Sequence, residues 1–267
     1  MIDLADKNKA VYKLKGLPHI YCINLDDKTD RWESMETQFK YWEIENYTRV
    51  SAHDGRGDND LGEILKGRYP DNMNSGEVGC VTSHLKALKE FLNSGQQCAI
   101  IMEDDCDINT ASYWPFSWKD FFCKVPYDYD VVQLAIINPA QVNVKIHRRF
   151  VNDFSTACYM ITRRYAQKLI DLHVRGDKYK LDNGVKPRAV ADDLIYNSGN
   201  TFAIPLFLYK IELGSDIHDI HIDVFHKSSY DGLWNFWKND ASAIEDWDGI
   251  FDYDPYFGTL PPGWENK

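Results

Sequence analysis

The chain has 267 residues, of which 44% are hydrophobic and 27% charged, with a formal net charge of −11. That length suits one large domain or a domain with an appendage, and the acidic balance argues against a nucleic-acid backbone as partner, which calls for a basic face. No window holds the ~18 apolar residues of a membrane span, the first residues lack the apolar run of a signal peptide, and the six scattered cysteines form no CxxC pair, so buried free thiols in a reducing, cytoplasmic compartment are expected.

Residues 19–25, HIYCINL, read as a first strand, followed by a polar turn. A helix is expected over 31–42, where Met35, Phe39 and Trp42 recur on one face. The Gly-rich stretch after it, YTRVSAHDGRGDNDLG, reads as loop. Residues 74–95 carry the clearest helical pattern, with Val78, Val81, Leu85, Leu88 and Leu92 at three-and-four spacing, Asn74 and Glu77 as a capping box and Gly95 as a stop. CAIIM, 98–102, is a buried strand, and YDVVQLAI, 129–136, another. The stretch around Ala157 reads as a strand to Ile161 and then a helix; 189–199 is a short helix or turn; and 201–211 is a strand broken by Pro205. From about Phe225 the chain turns rich in Trp, Asp and Gly, and its aromatics are expected to pack back on the main domain. The alternation of strands and helices indicates an α/β architecture.

The strand at 98–102 ends in three adjacent carboxylates, Glu103, Asp104 and Asp105. Ligands of open α/β sheets bind beyond the carboxyl ends of strands, and magnesium or manganese turns such repulsion into binding while holding a substrate diphosphate. The alternative for the triplet by itself is a solvated acidic loop.

The run GEVGCVTSHLKALKEFLNSGQQCAIIMEDD, 76–105, closely resembles the central motif of glycosyltransferase family 25, which includes lipooligosaccharide and collagen galactosyltransferases. IYCINLDDKTDRWESM is similar to the family's opening strand, VSAHDGR to its Ala-x-Asp-Gly stretch and TACYMITRRYAQKLI to a later strand and helix. ADDLIY stands where the family has a second acidic site, and GSDIH near a late Ser-x-Ile, so the resemblance spans roughly 19–218. Two departures stand out: Ser155-Thr156 replaces the family's Gly-Thr, and the aromatic tail matches nothing in the pattern.

The resemblance implies a GT-A-like fold, a Rossmann-like mixed sheet flanked by helices, which is expected over 1–224, and the change of composition marks 225–267 as an appendage. It also implies a UDP-sugar donor, Mn²⁺ or Mg²⁺, inversion at the anomeric carbon, and a glycan or glycoconjugate acceptor, with peripheral membrane contact left open. Glu103 and Asp105 are then the metal candidates, with Asp104 the alternative partner to Asp105. Asp104, Asn24, Arg31, Ala52, Asp54, Ser83 and His84 are candidates for the donor. Asp192 and Asp193 are candidates for catalysis, Asp192 as the base and Asp193 turned to solvent or a structural partner.

Each residue has a plainer reading: a turn Asn at 24, a solvated Arg at 31, a Gly-rich turn around Asp54, a structural histidine at 84, and helix-end charges at 192–193. Arg148, Arg149, Arg163 and Arg164 would offer charge to a diphosphate or simply be solvated. His218 and His221 would ligate a metal or sit in a loop. Rival functions are a glycoside hydrolase, which also needs two carboxylates, a metal-dependent nucleotidyltransferase, and a non-catalytic carbohydrate-binding protein.

Overall fold

A computed structural model describes residues 10–57, 59, 61–138, 144–181, 188–210, 226–247 and 251. The strands are β1 (Ile20–Asn24), β2 (Tyr47–Ser51), β3 (Cys98–Glu103), β4 (Cys106–Asp107), β5 (Val131–Ala135), β6 (His147–Arg148), β7 (Cys158–Thr162), β8 (Val174–Arg175), β9 (Lys178–Tyr179) and β10 (Thr201–Tyr209). The helices are α1 (Thr29–Tyr41), α2 (Ser75–Asn93), α3 (Trp118–Phe122), α4 (Arg163–His173), α5 (Ala191–Tyr196) and α6 (Lys227–Asn235).

The main sheet runs β2-β1-β3-β7-β5-β10-β4, with β6 also on β10. β2, β1 and β3 are parallel, as are β5 and β10, while β7 lies antiparallel between β3 and β5. The expected mixed α/β sheet flanked by helices is therefore present. The direction of β7 matters for the site. Met102 pairs with Cys158, and Glu103 N–H donates to the Ala157 carbonyl at 2.9 Å, so the start of β7 lies against the carboxyl end of β3.

Each face of the sheet buries its own core. One face takes α2, α4 and α5, through Val81, Leu85, Leu88, Tyr165, Leu169 and Leu194. The other takes α1 through Met35 and Phe39, together with Trp114, Trp118, Leu233 and Trp237. The described part of the aromatic tail packs on this face of the sheet. Trp237 is 1% exposed and its indole Nε1 donates to the Pro205 carbonyl at 3.1 Å. The capping box of α2 closes as read: Asn74 Oδ1 accepts from Glu77 N–H, and Glu77 accepts from Asn74 N–H. Gly95 ends the helix at a φ of +79°.

Three readings need correction. The stretch taken wholly as loop begins with β2, an edge strand whose mostly half-exposed residues give no apolar alternation. β10 is continuous through Pro205 and buried along its length. Its pairing with β5 shifts between Ala203 and Phe207, and a residue without an N–H is tolerated at such an irregularity. All six cysteines are free, but Cys123 is exposed and Cys80 and Cys98 are only partly buried. The Ser-x-Ile match, His218 and His221 lie outside the described residues. Among those residues, no helix is long and apolar enough to cross a membrane.

Candidate functional site

The carboxyl ends of β1 and β3, the loop after β2 and the first turns of α2 enclose an open cleft. Asn24, Arg31, Ala52, Asp54, Ser83, His84, Glu103, Asp104 and Asp105 all line it, so nine sequence candidates from four separate segments meet in one place.

Asp104 and Asn24 form the rigid floor. Asn24 Nδ2 donates to Asp104 Oδ2 at 2.6 Å and to the Lys28 carbonyl, while its Oδ1 accepts from Arg49 Nε. Arg31 Nη1 donates to Asp104 Oδ1 at 3.0 Å. Both oxygens of Asp104 are thus engaged, and Arg31, 9% exposed, is a buried ion-pair partner rather than a solvated residue. Truncating one partner of such a pair strands a buried charge.

Glu103 is gripped differently. Its Oε1 accepts from Thr156 Oγ1 at 2.7 Å and lies 3.2 Å from His84 Nε2. The other ring nitrogen of His84 is 3.1 Å from the Tyr159 hydroxyl. Burial pushes the Glu103 carboxyl up, but His84, Thr156 and Arg31 outweigh it and hold the group below the usual range.

Asp105 is the unbalanced member. Its buried Oδ1 has no hydrogen-bond partner among the described residues. Burial first, and then the charges of Glu103 and Asp104, push its pKa up to about 8. A buried carboxylate oxygen without a donor is costly, and a cation against it would remove the cost. An oxygen pair from Glu103 and Asp105 suits a hard divalent ion, whereas Asp104 has its oxygens committed elsewhere.

The loop after β2 is locked onto α2. His53 N–H donates to Ser83 Oγ at 2.8 Å, and Ser83 Oγ donates to the Gly79 carbonyl. A Cβ on Gly79 would lie 2.7 Å from the His53 oxygen, and one on Gly55 would lie 2.0 Å from the Ser75 oxygen. The glycines of VSAHDGR and GEVGC therefore serve one close backbone approach. Arg56 bonds Asp54 and Asp27, and its hydrogen bond pulls the Asp54 carboxyl down to about 2. Asp54 thus lines the cleft and shapes the turn at once.

Asp192 and Asp193 do not line this cleft. Asp192 Oδ1 accepts the Ser155 N–H at 2.6 Å. Burial raises its pKa to about 6 against the pull of Arg149, and the charge of Glu103 adds to the rise, which places Asp192 within electrostatic reach of the acidic cluster. Asp193 is buried, accepting from Arg188 N–H and Asn197 Nδ2. Of the four arginines considered for a diphosphate, none lines the cleft. Arg163 caps carbonyls at the end of α2, and Arg164 pairs with Asp130.

Sequence reasoning missed Thr156, Tyr159 and Cys80 as parts of this site. Cys80 and His84 are four residues apart on α2, a spacing visible in the sequence; Thr156 and Tyr159 reach the site only through the antiparallel pairing of β7.

A sequence profile described as "Glycosyltransferase family 25 (LPS biosynthesis protein)" matches residues 17–182. The chain is 26% identical over 175 residues to "Procollagen galactosyltransferase 1" of Danio rerio, covering 58% of this chain and 28% of that protein. It is 35% identical over 101 residues to "Probable inactive glycosyltransferase 25 family member 3" of Bos taurus, covering 34% of this chain and 17% of that one. The match thus spans little more than a quarter of the length of these curated relatives, or less. Among solved structures, a crystal structure of a protein from STIV aligns with a TM-score of 0.41 at 12% identity, covering 72% of this chain and 83% of that chain.

Proposed function

The chain belongs to glycosyltransferase family 25, and from that premise we propose that it moves a hexose from a UDP-sugar onto a hydroxyl of a glycan or glycoconjugate, with inversion and with Mn²⁺ or Mg²⁺. The observation that carries the reading is Asp105, a half-buried acid whose Oδ1 has no hydrogen-bond partner among the described residues and which lines the same cleft as Glu103. Galactose is the first donor to test, given a relative named as a galactosyltransferase, and glucose is the second.

Glu103 and Asp105 would hold the cation, which when bound neutralises the leaving diphosphate. Arg31 and Asn24 hold Asp104 fixed and so hold the turn that carries both ligands. The stretch from Ile23 to Arg31 and that from Ala52 to Asp54 face the nucleotide. Asp192 takes the proton from the acceptor hydroxyl at Oδ2 while Ser155 N–H holds Oδ1. A pKa of about 6 leaves it ionised at neutral pH and still basic enough for the task. Its place outside the donor cleft but within electrostatic reach of Glu103 suits a base on the acceptor side.

The test is a donor screen with manganese, reading release of UDP from each common UDP-sugar. Manganese-dependent release from one sugar, lost in Asp105→Asn, supports the reading. Turnover of a nucleoside triphosphate instead, or glycan binding without release from any donor, would replace it.

A further inference from the structure

The wall of the cleft formed by α2 and the end of β3 carries a second donor set, chemically unlike the carboxylate pair. Cys80 and His84 stand one turn apart on α2, so both side chains leave the same face. That face meets the end of β3 at Glu103. Cys80 Sγ, a His84 ring nitrogen and a Glu103 carboxylate oxygen all lie within 4.8 Å of one another.

We propose that Cys80, His84 and Glu103 form a three-ligand zinc site that opens onto the cleft and shares Glu103 with the hard-cation position. Bond lengths near 2.0–2.1 Å at tetrahedral angles put neighbouring nitrogen and oxygen ligands about 3.3 Å apart. His84 Nε2 and Glu103 Oε1 are 3.2 Å apart already. The sulfur, within 4.8 Å of the other two ligand atoms, has to close to about 3.6 Å to complete the set, given that zinc–sulfur bonds are near 2.3 Å.

The surroundings are those of a ligand shell. A metal-bound histidine donates its other ring N–H to a fixed partner, and the Tyr159 hydroxyl stands 3.1 Å from His84 Nδ1 in that role. The Thr156 hydroxyl fixes Glu103 in turn. All three ligands line the cleft, so a fourth position faces solvent and the ion has a path in. A thiolate with an imidazole favours zinc over magnesium or manganese, whereas Glu103 and Asp105 offer only oxygen. Coordination releases the Cys80 proton to solvent. Because one carboxylate serves both positions, zinc at this site takes Glu103 away from the hard cation. The proposal does not depend on the transferase reading, since it concerns binding alone.

The test is cobalt titration of the reduced, metal-free full chain, followed optically without donor or acceptor. One equivalent of Co²⁺ should produce a near-ultraviolet thiolate-to-cobalt charge-transfer band, and one equivalent of Zn²⁺ should erase it. Cys80→Ser should abolish the band. Tyr159→Phe, which keeps all three ligands, should weaken cobalt binding by roughly 10–100-fold, the usual scale for losing such a support. Circular dichroism of each variant reports whether it is folded. No band in the folded wild type, or an undiminished band in folded Cys80→Ser, overturns the proposal. Should Cys80→Ser fail to fold, Glu103→Gln decides: unchanged cobalt affinity there overturns it equally.

Discussion

Ser155 holds its backbone at a φ of +97° while its N–H donates to Asp192 Oδ1 at 2.6 Å. A side chain in that region is strained by about 1–3 kcal/mol, and the related family pattern has glycine here. The strain is held in place by neighbours: the Ser155 carbonyl accepts from Gln133 Nε2 and from the Tyr196 hydroxyl. Ser155→Gly should therefore leave fold and turnover intact and change stability by no more than about 1 kcal/mol, since relief of strain offsets glycine's entropy cost. Ser155→Val should lower the melting temperature and cut kcat by displacing Asp192. Thermal melts with kcat on both variants check this, and loss of turnover in the glycine variant would show that the hydroxyl itself matters.

Asp192→Asn should reduce kcat by roughly 10²-fold or more with little change in donor KM, the pattern of a lost general base. In the wild type, kcat should fall as pH drops through about 6. Stability should move the opposite way. The folded group keeps its proton to about pH 6, whereas the unfolded one loses it near 4, so stability falls as pH rises across that window. Asp192→Asn should flatten both profiles, and an unchanged pH–rate curve in the variant would remove the residue from the mechanism.

Asp105 is pushed up to about 8, so the metal-free fold keeps it protonated where an unfolded chain has lost the proton. Its contribution to stability is greatest below about pH 4 and declines as pH rises toward 8. A cation needs the ionised form, so Mn²⁺ affinity should climb by about tenfold per pH unit up to 8. Asp105→Asn should raise the metal-free melting temperature at pH 7–8 and abolish the manganese-induced rise. Titrations at pH 6, 7 and 8 with paired melts measure both effects; a pH-independent affinity would place the ion elsewhere.

Gly79→Ala sets a Cβ 2.7 Å from the His53 oxygen and 3.0 Å from Gly55 N. Because both contacts are backbone, the loop must move. The change should cost about 1–3 kcal/mol, the scale of overpacking, and should raise donor KM more than it lowers kcat. Steady-state kinetics on the alanine variant, with a melt alongside, read both quantities.

Much of the site was legible because its residues follow strand ends in short motifs. Asn24 and Arg31 trail β1, the three acids trail β3, and Ser83 and His84 sit on a helix whose cap and stop are both written in the sequence. What stayed hidden depends on pairing. Nothing near Thr156 or Tyr159 announces that β7 runs antiparallel against β3, yet that register delivers them to Glu103 and His84. Cys80, read simply as a buried thiol, acquires its neighbours only from the packing of α2 over the end of β3. β2 escaped notice because an edge strand with one buried residue, Val50, lacks the alternation that marks a strand. Pro205 misled because its missing N–H falls where β10 needs no partner.

The antiparallel placement of β7 also fixes when the site can come into being. Asn24 meets Asp104 across 80 residues, and Thr156 meets Glu103 across a further 53. Contacts of that separation form only after large loops have closed. A ribosome that has released the chain through β3 has exposed every acid of the cluster but none of the strand that pins Glu103. During synthesis the cluster is thus a set of mutually repelling charges on an unfinished edge until the later strand docks.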